Sequence, residues 1–456
     1  MDLGPILSLF FIAGVITLLV KKYNPHAVLL ISGFLMLVAA FFLNHDLPKL
    51  KQPTGLPAFD FIQYITESLI DTNAGVGLVI MIISGFVAYM DKTGASDALV
   101  FLAMKPLGFF KKYPYFLASL VLPLGQFLFI SIPSAAGLGL LLMASVYPII
   151  VNLGVSRVSA VSLISATTAF GIGPASAIAL SGAKVLEMDI TSFFFLHQIP
   201  LVVPLCITLT ITYFFVNRYY DKKENLVSAK EEIEHEKKEA RHSAPLIYAV
   251  LPVLPLALLL VFSDFVNLFH PAIHLDTNAA MVAGLFISLI FELVRTRSLM
   301  AVFKSLDVFW GGMGDIFKSV VTLIVTADIF SKGLISLGFI DGLIDISRNA
   351  GLGATGIGIV MTIMIFLASV LMGSGNAAFF AFGPLIPKIA GQLGAKSVSM
   401  ILPMTLAASM GRTVSPIAGV VVAVGAIAKV TPVQIVKRNL IPFIAALAVM
   451  LAYSVL

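Results

Sequence analysis

The sequence predicts an all-α integral membrane protein with about ten transmembrane helices and two re-entrant hairpins. Three observations carry that reading. Of 456 residues 59% are hydrophobic and 12% are charged; that charge content is about half the usual share for a soluble domain. Apolar runs of about 20 residues, the length that crosses a bilayer, recur from one end of the chain to the other. Two longer runs are interrupted at mid-length by small and helix-breaking residues.

Taken in order, the first run is 3–20. No basic stretch precedes it, so it reads as a first span and not as a cleaved signal peptide. Runs 26–43 and 74–91 follow as second and third spans. Run 113–152 is too long for one span and is broken at Ser131-Ile-Pro-Ser-Ala-Ala-Gly137. It reads as a hairpin whose polar tip lies at membrane depth, facing protein or water. Runs 155–183 and 191–217 complete the first half. The second half offers 246–268, 276–294 and 314–331, then the interrupted run 353–392 with Gly373-Ser-Gly-Asn-Ala-Ala378 at its middle, then 396–428 and 438–456. If each interrupted run were instead two full spans, the topology would not change, because both legs begin and end on one side.

The net charge of +5 does not indicate nucleic acid, because the basic residues lie in the connections between apolar runs, where they act as topology signals. With the N-terminus outside, twenty-one Lys and Arg fall on the inner side and seven on the outer. That bias places both termini outside, which is the periplasmic side if the membrane is a bacterial inner one. The single cysteine, Cys206, excludes an intrachain disulfide and a multi-cysteine metal site. No Walker sequence supports ATP drive, and no nucleophile–base pair or metal-ligand spacing indicates an enzyme.

The one long hydrophilic stretch, Arg218–His242, predicts a cytoplasmic charged linker (218–245) between a first half, 1–217, and a second, 246–456. The halves resemble each other at offsets of 239–244. Asp97 after Gly94 answers to Asp341 after Gly338, Ser134-Ala-Ala136 to Asn376-Ala-Ala378, Pro148 to Pro387, Gly154 to Gly394, and Pro200 to Pro442. Five spans and one hairpin per half force the second half to insert upside down. An inverted-topology repeat of this kind is a common plan of secondary transporters.

Four places interrupt helices at membrane depth: the two hairpin tips, and breaks at Gly171-Ile-Gly-Pro-Ala-Ser176 and Gly411-Arg-Thr-Val-Ser-Pro416 within runs 155–183 and 396–428. Pro removes an amide donor and Gly loosens a turn, so backbone groups are freed where a ligand or ion can satisfy them. Paired breaks in symmetric order are the sequence signature of a substrate site. Their polar content marks the candidate substrate-binding residues: Ser134, Thr167, Thr168, Ser176, Ser374, Asn376, Ser409, Arg412, Thr413 and Ser415, with Ser131 beside them. Arg412 is the one cation inside an apolar run. Its partner is either an anionic substrate, which a guanidinium grips with two parallel bonds, or, structurally, Asp328 or backbone carbonyls. Asp328 reads as an ion relay or as an interfacial group, and Lys184, Glu187 and Asp189 as a solvated outer loop.

These stretches also carry a family resemblance. GSGNA at 373–377, GRTVSPIAGVVVA at 411–423 and SAAGLGLLLMA at 134–144 are similar to the DcuC family, as are GFVAYM at 85–90, RYYDKKE at 218–224 and VKRNLIPF at 436–443. The resemblance runs over nearly the whole chain. It implies a bacterial inner-membrane carrier of succinate, fumarate and malate, working by efflux, exchange or ion-coupled symport. Through the wider ion transporter superfamily it also implies a scaffold domain, a mobile transport domain moving as an elevator, and a homodimer. No cofactor is implied beyond a coupling proton or sodium ion. Sodium-coupled dicarboxylate relatives carry Ser-Asn-Thr at both hairpin tips, whereas these tips read Pro133-Ser-Ala and Gly375-Asn-Ala, which makes proton symport or exchange at least as natural. The competing readings are a carrier of other carboxylates, such as p-aminobenzoyl-glutamate or peptides, and a gated anion channel.

Overall fold

The computed structural model describes residues 3–224, 244–263, 273, 275–349 and 351–455. Among them every regular element is helical, and the α-helices form two series. The first is α1 (Leu3–Val20), α2 (Pro25–Phe42), α3 (Pro57–Thr93), α4 (Ala95–Met104), α5 (Pro114–Ser131), α6 (Ala135–Ser145), α7 (Tyr147–Asn152), α8 (Arg157–Ala166), α9 (Ala177–Val185) and α10 (Ile190–Lys223). The second is α11 (Leu254–Val261), α12 (Thr277–Thr296), α13 (Leu299–Ser336), α14 (Phe339–Asn349), α15 (Ala354–Met372), α16 (Gly375–Phe382), α17 (Ile386–Gln392), α18 (Ser397–Thr413), α19 (Gly419–Ala428) and α20 (Pro432–Val455). Nine helices among the described residues are long and apolar enough to cross a membrane: α1, α2, α3, α5, α10, α12, α13, α15 and α20.

Two spans differ from the sequence reading. Instead of short spans at 74–91 and 314–331, α3 and α13 are helices of 37 and 38 residues. At about 1.5 Å per residue each is about 55 Å long, well beyond the roughly 30 Å of hydrocarbon. Their first halves carry Asp60, Glu67 and Asp71, and Lys304, Asp307 and Asp315, which hid them from a search for apolar runs. Both helices contain a five-residue π segment, Asn73–Gly77 and Phe317–Val321, and α3 kinks at the first. Gly75 leaves helical geometry altogether (φ −111°, ψ −119°). The two segments meet: a Cβ on Gly77 would stand 3.0 Å from Val321 Cγ1.

The hairpins also differ in shape. Their first arms, α5 and α15, have 18 and 19 residues and are long enough to cross. The return arms α6 and α16 have 11 and 8 residues, continued by α7 and α17. The expected span 246–268 is represented by a 3-10 turn, Leu246–Val250, and the eight-residue α11; residues 264–270 lie outside the described residues. The first residues of the expected linker, 218–223, are helical and continue α10. Its remainder, 225–243, lies outside the described residues.

Within α10, Asp221 is fully buried. It accepts bonds from Ser156 Oγ and Ser159 Oγ at the start of α8 (both 2.7 Å), from Tyr115 Oη (3.2 Å) and from Arg438 Nη2 of α20 (3.2 Å). A carboxylate at a helix start, opposite a guanidinium, is stabilised by both the helix dipole and the ion pair. This cluster ties α5, α8, α10 and α20 together at one end of the bundle.

Close packing elsewhere depends on small residues, as it does between membrane helices generally. Gly33 of α2 and Gly333 of α13 bring those helices together, and a Cβ on Gly333 would meet Gly33 O at 2.8 Å. Gly375 seats the second hairpin tip on α18, where a Cβ would meet Ala408 O at 2.5 Å. Ser369 Oγ of α15 donates to that same carbonyl at 2.6 Å.

Candidate substrate site

The four helix interruptions converge on one cavity of about 200 Å³. Ser134 comes from the tip between α5 and α6, Gly171 and Ser176 from the break between α8 and α9, Asn376 from the start of α16, and Ser409 and Arg412 from the end of α18. The facing wall is mostly apolar, formed by Ile80, Ile83, Ser84 and Val87 of α3 and by Ile316 and Val320 of α13. The cavity therefore has a polar side built from interruptions and an apolar side built from the two long helices.

The polar side is also electrostatically positive. Ser134 caps α6 by accepting from Gly137 N (3.1 Å), Ser176 caps α9 (Ala179 N, 3.4 Å) and Ser374 caps α16 (Ala377 N, 3.3 Å). Three helix starts thus gather at the polar side, each contributing about half a positive charge. Arg412 adds a full one. Its Nη2 donates to Thr168 O at 2.8 Å, its guanidinium carbon lies 5.8 Å from the Phe129 ring centre, and its buried Nε has no partner. Of the structural partners considered from the sequence, a backbone carbonyl is used and Asp328 is not. Asp328 instead pairs with Lys332 Nζ (2.7 Å) and accepts from Ser68 Oγ (2.7 Å).

Five of the ten candidate residues, Ser134, Ser176, Asn376, Ser409 and Arg412, line the cavity. Ser374 stands behind them as a cap. Thr167, Thr168, Thr413 and Ser415 are buried and satisfy the breaks' own backbone: Thr167 Oγ1 donates to Ile164 O (2.7 Å), Thr168 Oγ1 to Ser165 O (3.0 Å) and Thr413 Oγ1 to Ser409 O (3.2 Å), while Ser415 Oγ accepts from Ile417 N (3.4 Å). Ser131 ends α5 and lies outside the cavity lining. Ser134 and Ser374 each cap the return arm of their hairpin, whereas Asn376 lies in the first turn of α16.

Sequence reasoning missed three amides that hold the interruptions open. Gln126 of α5 clamps Phe170, donating from Nε2 to its carbonyl (2.7 Å) and accepting from its amide (3.1 Å). Gln198 of α10 accepts from Gly173 N (2.9 Å). Asn439 of α20 donates to Thr413 O (2.9 Å) and Ser165 Oγ (3.1 Å) and accepts from Tyr213 Oη (2.8 Å). Gln126 and Gln198 are amides in apolar runs, where a buried amide is costly unless it is bonded, and that was the available signal; Asn439 follows Lys437 and Arg438 and carried none. Lys184, expected in a solvated loop, reaches back so that its Nζ abuts Gly75 in the α3 interruption.

Crossing helices around a small polar cavity made of helix interruptions define a multi-pass membrane transporter. The chain belongs to the C4-dicarboxylate anaerobic carrier family, DcuC, whose model matches residues 3–456. It is 35% identical over 447 residues to the anaerobic C4-dicarboxylate transporter DcuC of Escherichia coli K12, covering 98% of this chain and 95% of that one. It is 33% identical over 426 residues to the probable counterpart of Vibrio cholerae, covering 93% and 91%. These relatives are transporters, not enzymes. Among solved structures the fold is similar to that of the Alcanivorax borkumensis YdaH transporter (TM-score 0.61, 15% identity, 95% and 98% of the two chains). It is also similar to Neisseria gonorrhoeae MtrF, of a class of antimetabolite efflux pumps (TM-score 0.58, 13% identity, 94% and 95%). At those identities the likeness concerns the fold alone.

Proposed function

We propose that the chain is a secondary carrier of C4-dicarboxylates such as succinate, fumarate and malate in a bacterial inner membrane. The observation that carries this reading is the convergence of Arg412 and three helix starts on one small cavity. A dicarboxylate carries two negative charges at neutral pH and loses its water on entry. Arg412, the exposed amides of the helix starts and the hydroxyls of Ser134, Ser176 and Ser409 supply the compensation. A cavity of about 200 Å³ is smaller than the roughly 300–1,000 Å³ of drug-sized sites and suits a substrate of a few carbons better than a peptide.

On this reading the hairpins and broken helices form a mobile unit that moves as an elevator against α3 and α13, and the two helix series insert in opposite senses with both termini outside. The facing wall supports it, because a wall whose one polar side chain is Ser84 offers the substrate few bonds to break as the polar side slides past. The cavity lining includes no carboxylate or imidazole among the described residues.

Counterflow of labelled succinate into proteoliposomes preloaded with unlabelled succinate tests the proposal. Saturable, transient accumulation above equilibrium is expected. Flux that rises linearly with concentration and never overshoots makes the protein a channel and refutes the carrier reading.

A further inference from the structure

A second cleft, of about 530 Å³, lies between the start of α5 and α10, away from the substrate cavity. Lys112, Tyr113 and Phe116 line one side, Phe214 and Arg218 the other. We propose that this cleft binds one anionic phospholipid, with the phosphate between Lys112 and Arg218 and the acyl chains along Phe116 and Phe214.

The chemistry of the lining selects that ligand. Neither Lys112 nor Arg218 takes part in an ion pair among the described residues, so two positive charges line the cleft with no described carboxylate in ion-pair contact. A phosphate diester meets both, one as a point charge and one through the guanidinium fork. The rest of the lining is aromatic and partly outward-facing: Phe116 is 42% and Tyr113 60% exposed. A small dicarboxylate has no apolar tail to cover those rings, whereas a phospholipid has two. Tyr113 also has the amphipathic character that favours the level of the headgroups. The first amides of α5 add donors, because Tyr113 provides no side-chain cap there.

The position gives the lipid a role. Tyr115, between Tyr113 and Phe116 in the same lining, donates to the buried Asp221 at 3.2 Å. Asp221 in turn holds the start of α8 and pairs with Arg438. A lipid seated in the cleft therefore braces the first hairpin arm against the buried ion cluster. This inference rests on the membrane placement of α5 and α10, not on what the carrier transports.

The test uses purified full-length protein and native mass spectrometry with phosphatidylglycerol or phosphatidylcholine, together with thermal unfolding in the same lipids. Wild type is expected to retain one phosphatidylglycerol and to gain melting temperature from it, but not from phosphatidylcholine. Lys112→Gln/Arg218→Gln is expected to bind that lipid about thirtyfold more weakly, the combined effect of two juxtamembrane cations, and to lose the thermal gain. Lys304→Gln, which removes an exposed cation outside the cleft, is expected to behave as wild type. Equal phosphatidylglycerol retention by wild type and the double variant overturns the proposal, as does an equal loss in Lys304→Gln. An equal thermal gain from inorganic phosphate or glycerol phosphate makes the site one for free anions and overturns the lipid assignment.

Discussion

Replacing Arg412 separates an anion-binding site from a structural cation. In the structure this side chain makes one hydrogen bond, to Thr168 O at 2.8 Å, and its buried Nε has no partner. Its guanidinium is thus only partly used by the protein. A carboxylate arriving between Ser134, Asn376 and Ser409 can take up the remaining donors in a two-pronged contact. Arg412→Lys keeps the charge and loses the fork. One charge-assisted hydrogen bond is worth about 1.5–3 kcal/mol, which is roughly ten- to a hundredfold in affinity. Arg412→Ala loses the charge as well and is expected to be nearly inactive. Folding suffers less than binding, because the alanine variant leaves one buried carbonyl without its donor, a cost of about 1–3 kcal/mol, and removes the cost of burying a guanidinium. Calorimetric titration of purified protein with succinate, beside a melting curve, reads both effects. If Arg412→Ala binds succinate as tightly as wild type, Arg412 is a strut for the α8 break and the anionic-site reasoning fails.

Further predictions follow from neighbouring contacts. Gly171→Ala places a methyl 2.7 Å from Ser409 Oγ and 3.1 Å from Ser176 Oγ, so succinate uptake is expected to fall at least tenfold, with partial recovery in Gly171→Ala/Ser409→Ala; full uptake by the single variant would remove Gly171 from the site. Gln126→Leu leaves the Phe170 amide without its acceptor and its carbonyl with Ile172 N alone (3.1 Å), and is expected to cost about 1–3 kcal/mol of stability, read as a lowered melting temperature in detergent. Asp221→Asn breaks the buried pair with Arg438, which keeps Glu224 at 2.9 Å, and is expected to cost about 1–3 kcal/mol, read as a lowered melting temperature; an unchanged melting temperature would remove Asp221 from the brace. In a Cys206→Ser background, Lys111→Cys is expected to resist impermeant thiol reagents in intact cells; ready labelling from outside would reverse the proposed orientation.

The membrane class and the four interruptions were legible because they rest on composition and on Gly and Pro, residues whose backbone consequences are local. Ser134, Ser176, Asn376, Ser409 and Arg412 were findable as polar groups inside apolar runs, and they line one cavity. The full length of α3 and α13 was not legible, since a helix with charges on one face does not look like a span even when its other face is packed. Nor was the division of labour among the hydroxyls. Thr167, Thr168, Thr413 and Ser415 have the same chemistry as the lining residues and differ only in where their side chains turn, which packing decides. Asp221 shows the same limit: its place in the hydrophilic stretch Arg218–His242 suggested a solvated linker, yet the start of α8 and Arg438 bury it completely.

The central claim is that the four interruptions form a single dicarboxylate site. The most direct measurement is a density map of the protein in lipid with saturating succinate. The account predicts one succinate between Ser134, Ser176, Asn376 and Ser409, with a carboxylate in hydrogen-bond contact with the guanidinium of Arg412. Succinate bound elsewhere, or this cavity unoccupied while Arg412 holds only Thr168 O, would contradict it.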